Sequence, residues 1–166
     1  MTARYAAGTD VPAARSREQI ETVVTRYGAD QFLYGWGGAG MVGPEGAAVV
    51  QFRAHGRYVR FLLPMPDRAD PEFTRTPTGK VRKDGAAAGR AWEQATRQRW
   101  RALLLNITAK LEAVEIGLAT FEQEVMANIV LPDGSTVSDF MTPQIERAYS
   151  TREMPSMFPA LESGRG

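Results

Sequence analysis

The sequence predicts an α+β fold: a short N-terminal helix, a three-stranded antiparallel sheet, a long amphipathic helix packed on that sheet, and a short C-terminal helix. Two observations carry the prediction. Alternating apolar residues on both sides of a His-Gly pair at positions 55–56 are typical of a β-hairpin. Between positions 86 and 129, apolar residues recur every three or four positions without a proline, as in a long helix. The 166 residues suit one domain, which we place at 16–150 between a flexible arm (1–15) and a tail (151–166).

The first helix is predicted from a start signal, a stripe and a stop signal. Ser16 and Gln19 have the spacing of a capping box. Gly28 stands where a helix often ends in a left-handed residue. Between them the apolar residues fall on one helical face: Ile20, Val23, Val24 and Tyr27.

Three strands should follow, the first from the alternation of Phe32, Tyr34 and Trp36. The second and third, 47–54 and 57–63, flank the turn, which places residue 52 opposite 59 and residue 50 opposite 61. One face of this hairpin is then apolar, with Val50, Phe52, Val59, Phe61 and Leu63. The other carries Gln51, Arg53, Tyr58 and Arg60, with Val49 and Leu62 toward its far end.

Positions 64–85 are rich in proline and charge and predict a long loop.

The long helix after this loop would reach about 60 Å if unbroken, so we expect either a break near Gly117 or an extension into a partner subunit. A turn at Pro132-Asp133-Gly134 precedes a helix from about Thr136 to Tyr149, and Pro143 within it suits a restart at a first helical position. Apolar residues of the tail are expected to dock on the domain or on a neighbour: Met154, Met157, Phe158 and Leu161.

No catalytic constellation is recognisable, so we predict no enzyme activity and no cofactor. The chain has no cysteine, and its one histidine, His55, lies at a hairpin tip, where no base or nucleophile is positioned for it. Glycines at 35–40 lack the Lys-Ser/Thr pair of a phosphate loop. A carboxylate-only metal site, and hence a nuclease, is the least favoured hypothesis; its candidate ligands are Asp67, Asp70, Glu72, Glu112 and Glu115.

Charge is sorted along the chain although the net charge is only +1. Residues 75–110 carry nine basic and two acidic side chains, whereas residues 111–166 carry three basic and nine acidic ones. This asymmetry favours an anionic partner for the middle of the chain, contact between copies, or pairing of the two blocks within the fold. The absence of a signal peptide and of a long apolar run predicts a cytoplasmic protein without a membrane partner.

Basic residues from the hairpin, the loop and the long helix are expected to line one groove for a phosphate backbone, with an aromatic ring for stacking. The predicted nucleic-acid-binding set is Arg53, Tyr58, Arg60, Lys80, Arg82, Lys83, Arg90, Arg97 and Arg101. The first hypothesis is therefore a non-catalytic nucleic-acid-binding protein that forms homo-oligomers. The alternative is a structural or interaction protein of a phage or host assembly.

Two resemblances bear on this hypothesis. Gly56 to Phe61, Leu63-Pro64-Met65-Pro66 and Trp92-Glu93-Gln94 with Arg97 to Leu103 resemble a group of uncharacterised small proteins of actinobacteria and their phages. That resemblance implies a mobile-element context and no particular activity. The order of elements over 16–124 is similar to the core of phage single-strand annealing proteins, which implies rings and binding of single-stranded DNA in recombination.

Overall fold

The computed structural model describes residues 6, 8–38, 44–76, 78–81 and 84–153. The predicted α+β class and order of elements are confirmed, with two further short helices. One turn of 3₁₀ helix, Met126–Asn128, follows the fourth helix. The elements are α1 (Ala13–Arg26), β1 (Ala29–Trp36), β2 (Ala47–Ala54), β3 (Arg57–Pro64), α2 (Pro71–Thr74), α3 (Gly85–Glu115), α4 (Phe121–Val125) and α5 (Val137–Thr151).

The sheet is antiparallel in the order β1-β2-β3. His55 and Gly56 both have positive φ, 50° and 72°, which is the conformation of a type I′ turn. This two-residue turn sets the β2–β3 register, and the predicted pairs Phe52–Val59 and Val50–Phe61 are confirmed.

The core lies between one face of the sheet and the two longer helices that pack on it, α1 and α3. Val50, Phe52 and Val59 on the sheet are fully buried, as are Ile20 on α1 and Trp100 on α3. Burying an apolar side chain of this size contributes about 1.5–3 kcal/mol. We call this side of the sheet the core face and the opposite side the outer face.

The first helix begins earlier than predicted. Pro12 is its N-cap residue, and Ser16 is buried with its hydroxyl unbonded among the described residues. The capping box at Ser16 and Gln19 is therefore wrong, because proline at position 12 sets the helix start three residues upstream of Ser16. Within the arm, the Thr9 carbonyl accepts a hydrogen bond from Gln94 of α3 (3.0 Å). The Gly28 stop is as predicted, with φ 93°.

The long helix ends at Glu115, so the predicted break near Gly117 is confirmed. Gly117 has φ 76°, and its N–H donates to the Val114 carbonyl (3.0 Å). The Leu118 N–H donates to the Ala113 carbonyl (2.9 Å). These two bonds form a Schellman motif, which satisfies carbonyls at the helix end. The 31 residues of α3 span about 46 Å.

The segment between β3 and α3 is more ordered than a loop. Asp70 caps α2, whose Phe73 is buried, and Arg75 bridges Val81 in a tight turn. The loop prediction failed because one buried aromatic residue among prolines carries no periodic signal. Arg82 and Lys83 lie outside the described residues.

After α4 the chain returns to the free side of β3. Ile129 bridges Val59, and the Val130 N–H donates to the Tyr58 carbonyl (2.8 Å). Thr136 then starts α5 with a capping box to Asp139. This confirms the predicted C-terminal helix, and Pro143 lies inside it. No residue of α5 is buried.

The predicted docking of the apolar tail concerns positions 154–166, which lie outside the described residues. Within the described part of the chain, no helix combines the length and apolar character needed to cross a membrane.

Candidate nucleic-acid interface

The predicted binding residues fall into groups that the sheet keeps apart. Side chains of Val50 and Phe52 face α3, so Arg53, which alternates with them, projects from the outer face together with Arg60. The arginines of α3 lie on the other side of the sheet. The single continuous groove expected from the sequence is therefore wrong. The reason is that strand alternation sends the basic hairpin side chains away from the helix that carries the other arginines.

Arg53 is neutralised by a neighbouring strand. Its Nε donates to Asp30 Oδ1 (2.8 Å), and a second guanidinium nitrogen bonds the other carboxylate oxygen. The hydrogen bonds from Arg53 hold the pKa of the Asp30 carboxyl below its ordinary value, and Asp30 in turn raises the pKa of Arg53. The Tyr58 hydroxyl donates to Gln31 Oε1 (3.0 Å), and the Arg53 guanidinium lies 6.0 Å from the Tyr58 ring.

Arg60 is a buried structural residue, only 6% exposed. Its Nε donates to Gln51 Oε1 (3.1 Å), and Nη1 donates to the Gly134 carbonyl (2.9 Å). The Arg60 carbonyl accepts a hydrogen bond from Asn128 Nδ2 (3.0 Å). The predicted phosphate contact at Arg60 is corrected, because the segment after α4 covers this side chain and uses its hydrogen-bonding groups.

The Asp139 carboxylate belongs to the same covering segment. Hydrogen bonds from the backbone N–H and the hydroxyl of Thr136 lower the pKa of Asp139, and the nearby Arg60 charge lowers it further. The outer face around Arg60 is thus occupied by a polar network that does not present this guanidinium to a ligand.

Lys80 and Arg90 are exposed but lie in different settings. Lys80 ends the tight turn whose backbone bond joins the Thr76 N–H to the Lys80 carbonyl (2.8 Å). Arg90 Nη2 lies 3.7 Å from Asp84 Oδ2, and the Arg90 side chain is 70% exposed. A surface pair of this kind is weak and leaves Arg90 accessible to a competing anion.

Arg97 and Arg101 have neutral partners. Arg97 Nε donates to Gln94 Oε1 (3.2 Å), and Arg101 Nη1 donates to Gln19 Oε1 of α1 (3.1 Å). Both side chains are half-buried. Among the described residues, no carboxylate lies within ion-pair distance of either guanidinium.

Two arginines that the sequence reasoning missed lie over aromatic rings. The Arg17 guanidinium lies 5.2 Å from the ring centres of both Tyr34 and Trp100. Arg68 lies 4.1 Å from the Trp92 ring, whose Nε1 donates to the Pro66 carbonyl (2.7 Å). No local pattern marks Arg17, because its position depends on how α1 packs beside β1 and α3. We call Arg17, Arg97 and Arg101 the helix-side arginines.

The carboxylates considered for a metal site serve as local caps. Asp67 Oδ1 accepts from the Ala69 N–H (2.9 Å), and Asp70 Oδ1 accepts from the Glu72 N–H (3.1 Å). No cluster of three or more acidic or histidine side chains suited to a metal occurs in the described ranges. The exposed His55 ring lies 4.7 Å from Phe121 and contacts no nucleophile in the described structure.

The free edge of β1 is the other feature that the sequence reasoning missed. The Gly37 N–H donates to the Ala47 carbonyl (2.8 Å), and Trp36 pairs with Ala48. Odd-numbered residues of β1 therefore exchange hydrogen bonds with β2, whereas the even-numbered ones direct theirs away from the sheet. Tyr34 and Trp36 are even-numbered and are 53% and 57% exposed.

Comparison of the chain with protein-family models, with curated proteins and with solved structures finds no match. The two resemblances therefore stay predictions, and any function must be inferred from the geometry described above.

Proposed function

We propose that this protein is a non-catalytic structural protein whose copies associate through exposed apolar surface, above all through the free edge of β1. One observation carries the proposal. Phe32, Tyr34 and Trp36 direct three N–H and three C=O groups outward, and no described segment pairs with them. An exposed strand edge of this kind is a template for pairing with another chain.

From Gln31 to Trp36, features that normally protect a strand edge are missing in the described part of the structure. Natural edges are blunted by lysine, proline, inward-pointing charge or a covering segment. From Gln31 to Trp36 the strand has no charged residue and no proline. The irregular pairing next to Asp30 is confined to the start of the strand. An aromatic, uncharged edge is therefore open to association.

The last helix adds a second exposed apolar surface. Phe140, Ile145 and Tyr149 are exposed on α5, which has no buried residue. Beside it, a cavity of about 480 Å³ is lined by Met126, Met141 and other residues of α5 and the 3₁₀ turn. The exposed Ile145 side chain and Met141 line this cavity together, which makes it a second candidate contact surface.

Light scattering combined with sedimentation over a wide concentration range tests the proposal. We expect a concentration-dependent rise in mass in the absence of nucleic acid. The rise should persist at high salt, because its source is apolar and backbone pairing and not surface charge. A monomer at every concentration and at every salt would overturn the proposal.

A second function, nucleic-acid binding, is favoured by the helix-side arginines alone. These three guanidinium groups contact amide oxygens or aromatic rings, and no carboxylate of the described chain pairs with them. Their charge remains available to phosphates, and the exposed Tyr34 ring beside Arg17 suits base stacking. Annealing of single-stranded DNA in phage or mobile-element recombination is the finer form of this proposal.

Fluorescence anisotropy with single- and double-stranded oligonucleotides tests the second function. Binding at about 50 mM salt should weaken steeply as salt rises, with a log–log slope of about −0.7 to −0.9 per phosphate neutralised. Replacing the helix-side arginines with glutamine should weaken binding and reduce that slope. Arg53→Gln is the matched control, since this arginine is already neutralised by Asp30. Absence of binding, or equal loss in the control, would exclude this surface.

A further inference from the structure

We infer that two copies of the chain join β1 to β1 about a two-fold axis, with Tyr34 opposite its own counterpart, into one six-stranded antiparallel sheet. This inference rests on the proposed self-association and names its partner, surface and register. It follows from which backbone groups are free, which side chains accompany them, and which sheet edge is already occupied.

The register follows from the outward backbone groups. In an antiparallel pair, the residue numbers of the two facing residues add up to the same value at every position. Pairing Tyr34 with Tyr34 of the second copy also pairs Phe32 with the second copy's Trp36, and Trp36 with the second copy's Phe32. All three outward N–H and all three outward C=O groups of each strand are then bonded. Centring the pair on Phe32 or Leu33 leaves part of this set unpaired or brings the irregular start of the strand into the interface.

The side chains suit this register on both faces. On the core face, Tyr34 meets Tyr34, and Phe32 meets Trp36, so that aromatic rings form cross-strand pairs worth about 0.2–1 kcal/mol each. On the outer face, Leu33, which is 45% exposed, lies opposite Gly35 of the second copy, where there is room for its side chain. No like charges meet between Gln31 and Trp36, because this stretch is uncharged.

No described residue pairs with the end of β1 that the register uses. Tyr34 and Trp36 lie on the core face, beneath the layer of α1, and yet more than half of each side chain is exposed. The α1 helix therefore leaves this end of β1 uncovered. Arg17 of α1 reaches the Tyr34 ring from above and does not occupy the strand edge.

The assembly should stop at two copies. The other edge of the sheet is β3, where the Val130 N–H is bonded to the Tyr58 carbonyl and Ile129 bridges Val59. Among the described residues, the segment after α4 thus occupies the Tyr58–Arg60 part of the β3 edge, and Pro64 at the far end has no N–H to donate, so β1 offers the longer free edge. A surface that pairs with itself about a two-fold axis closes the assembly, whereas a second free edge would allow a growing filament.

Single-cysteine variants test the register, because the chain contains no cysteine. In the proposed pair the two Tyr34 Cα atoms lie about 5.5 Å apart, within the roughly 4.4–6.8 Å that a disulfide spans. Mild oxidation of Tyr34→Cys should give a covalent dimer as the main product. Leu62→Cys on β3 and Tyr149→Cys on α5 are exposed controls that should stay monomeric in non-reducing gels.

Trp36→Lys tests the edge without a cross-link, because a lysine at a strand edge opposes pairing. This variant should be monomeric in sedimentation with the far-UV circular dichroism of the wild type, whereas Leu62→Lys should remain dimeric. If the wild type associates but Trp36→Lys does not abolish association, or Tyr149→Cys cross-links in place of Tyr34→Cys, self-association through another apolar surface stands, whereas the role of the β1 edge and this inference fail. A wild type that is monomeric throughout defeats both, and a mass above that of a dimer contradicts the closed pair.

Discussion

Arginines on the two sides of the sheet differ in their internal partners. On the outer face, Arg60 is enclosed by the segment after α4, and Arg53 is paired with Asp30. On the helix side, Arg97 and Arg101 are bonded only to glutamine oxygens among the described residues. Identical side chains are thus part of the folded framework on one side and an available positive surface on the other.

Positive charge in a sequence therefore predicts an anion site only after the internal partners of that charge are known. Burying a guanidinium without hydrogen bonds is costly, and the fold supplies two acceptors to Arg60, Gln51 Oε1 and the Gly134 carbonyl. A half-buried arginine held by an amide keeps its net charge. Four substitutions test this contrast, and Trp100→Ala is expected to change stability most.

Trp100→Ala should have the largest effect, because this ring is 1% exposed and supports both Tyr34 and Arg17 on the helix side. Removing it should lower the free energy of unfolding by about 3–5 kcal/mol, through lost burial and the cavity left behind. Urea denaturation followed by circular dichroism measures the change. A loss below about 1 kcal/mol would mean that the helix layer does not depend on this ring.

Arg60→Met should destabilise the protein by about 1.5–3 kcal/mol, because it removes charge-assisted hydrogen bonds from a buried site. Arg97→Met is the matched variant on the helix side and should change stability by less than about 0.5 kcal/mol. Denaturation midpoints of the two variants, compared with the wild type, measure the contrast. Equal losses would show that both arginines are structural and would remove the contrast.

Thr136→Ala should lower stability by about 1 kcal/mol, since it removes the N-cap of α5. The same substitution should increase amide hydrogen exchange in residues 131–139, which cover Arg60. Ser138→Ala is the control, because Ser138 is two residues away and exposed, and it should leave hydrogen exchange unchanged. Unaltered exchange in Thr136→Ala would show that the cover is held by other contacts.

Arg53→Gln should have the smallest effect and should appear mainly in acid. Because the Arg53 hydrogen bonds lower the pKa of Asp30 below its ordinary value of 3.8, their contribution is present above that pH. It is lost as the pH falls through the lowered pKa of the folded state. Titration of the Asp30 carboxyl by NMR should show its pKa return toward 3.8 in the variant. An unchanged pKa would mean that the pair does not persist in solution.

Much of the fold was predictable, because the signals concerned were local. The His55-Gly56 turn and the alternation around it determine the hairpin register, and Gly117 marks the end of α3. Ser16 failed as a cap because Pro12 set the helix start upstream. Phe73 and α2 were missed because a single buried ring in a polar stretch has no periodicity.

Less of the candidate site was predictable. Its arginines were identified by residue type, but their partners come from distant parts of the chain: Asp30 for Arg53, Gly134 for Arg60 and Gln19 for Arg101. The exposure of Tyr34 and Trp36 was also unexpected, since alternating aromatic residues are equally typical of a central strand and of an edge strand.

The order of residues accounts for the periodic features of this protein: its helices, its strands, its tight turn and the division of charge along the chain. These depend on backbone geometry and on residues within one or two turns of each other. The tertiary contacts instead determine which arginines have internal partners and which strand edge has no partner among the described residues. Both outcomes depend on contacts between residues far apart in the chain, and such contacts leave no periodic trace in the order of amino acids.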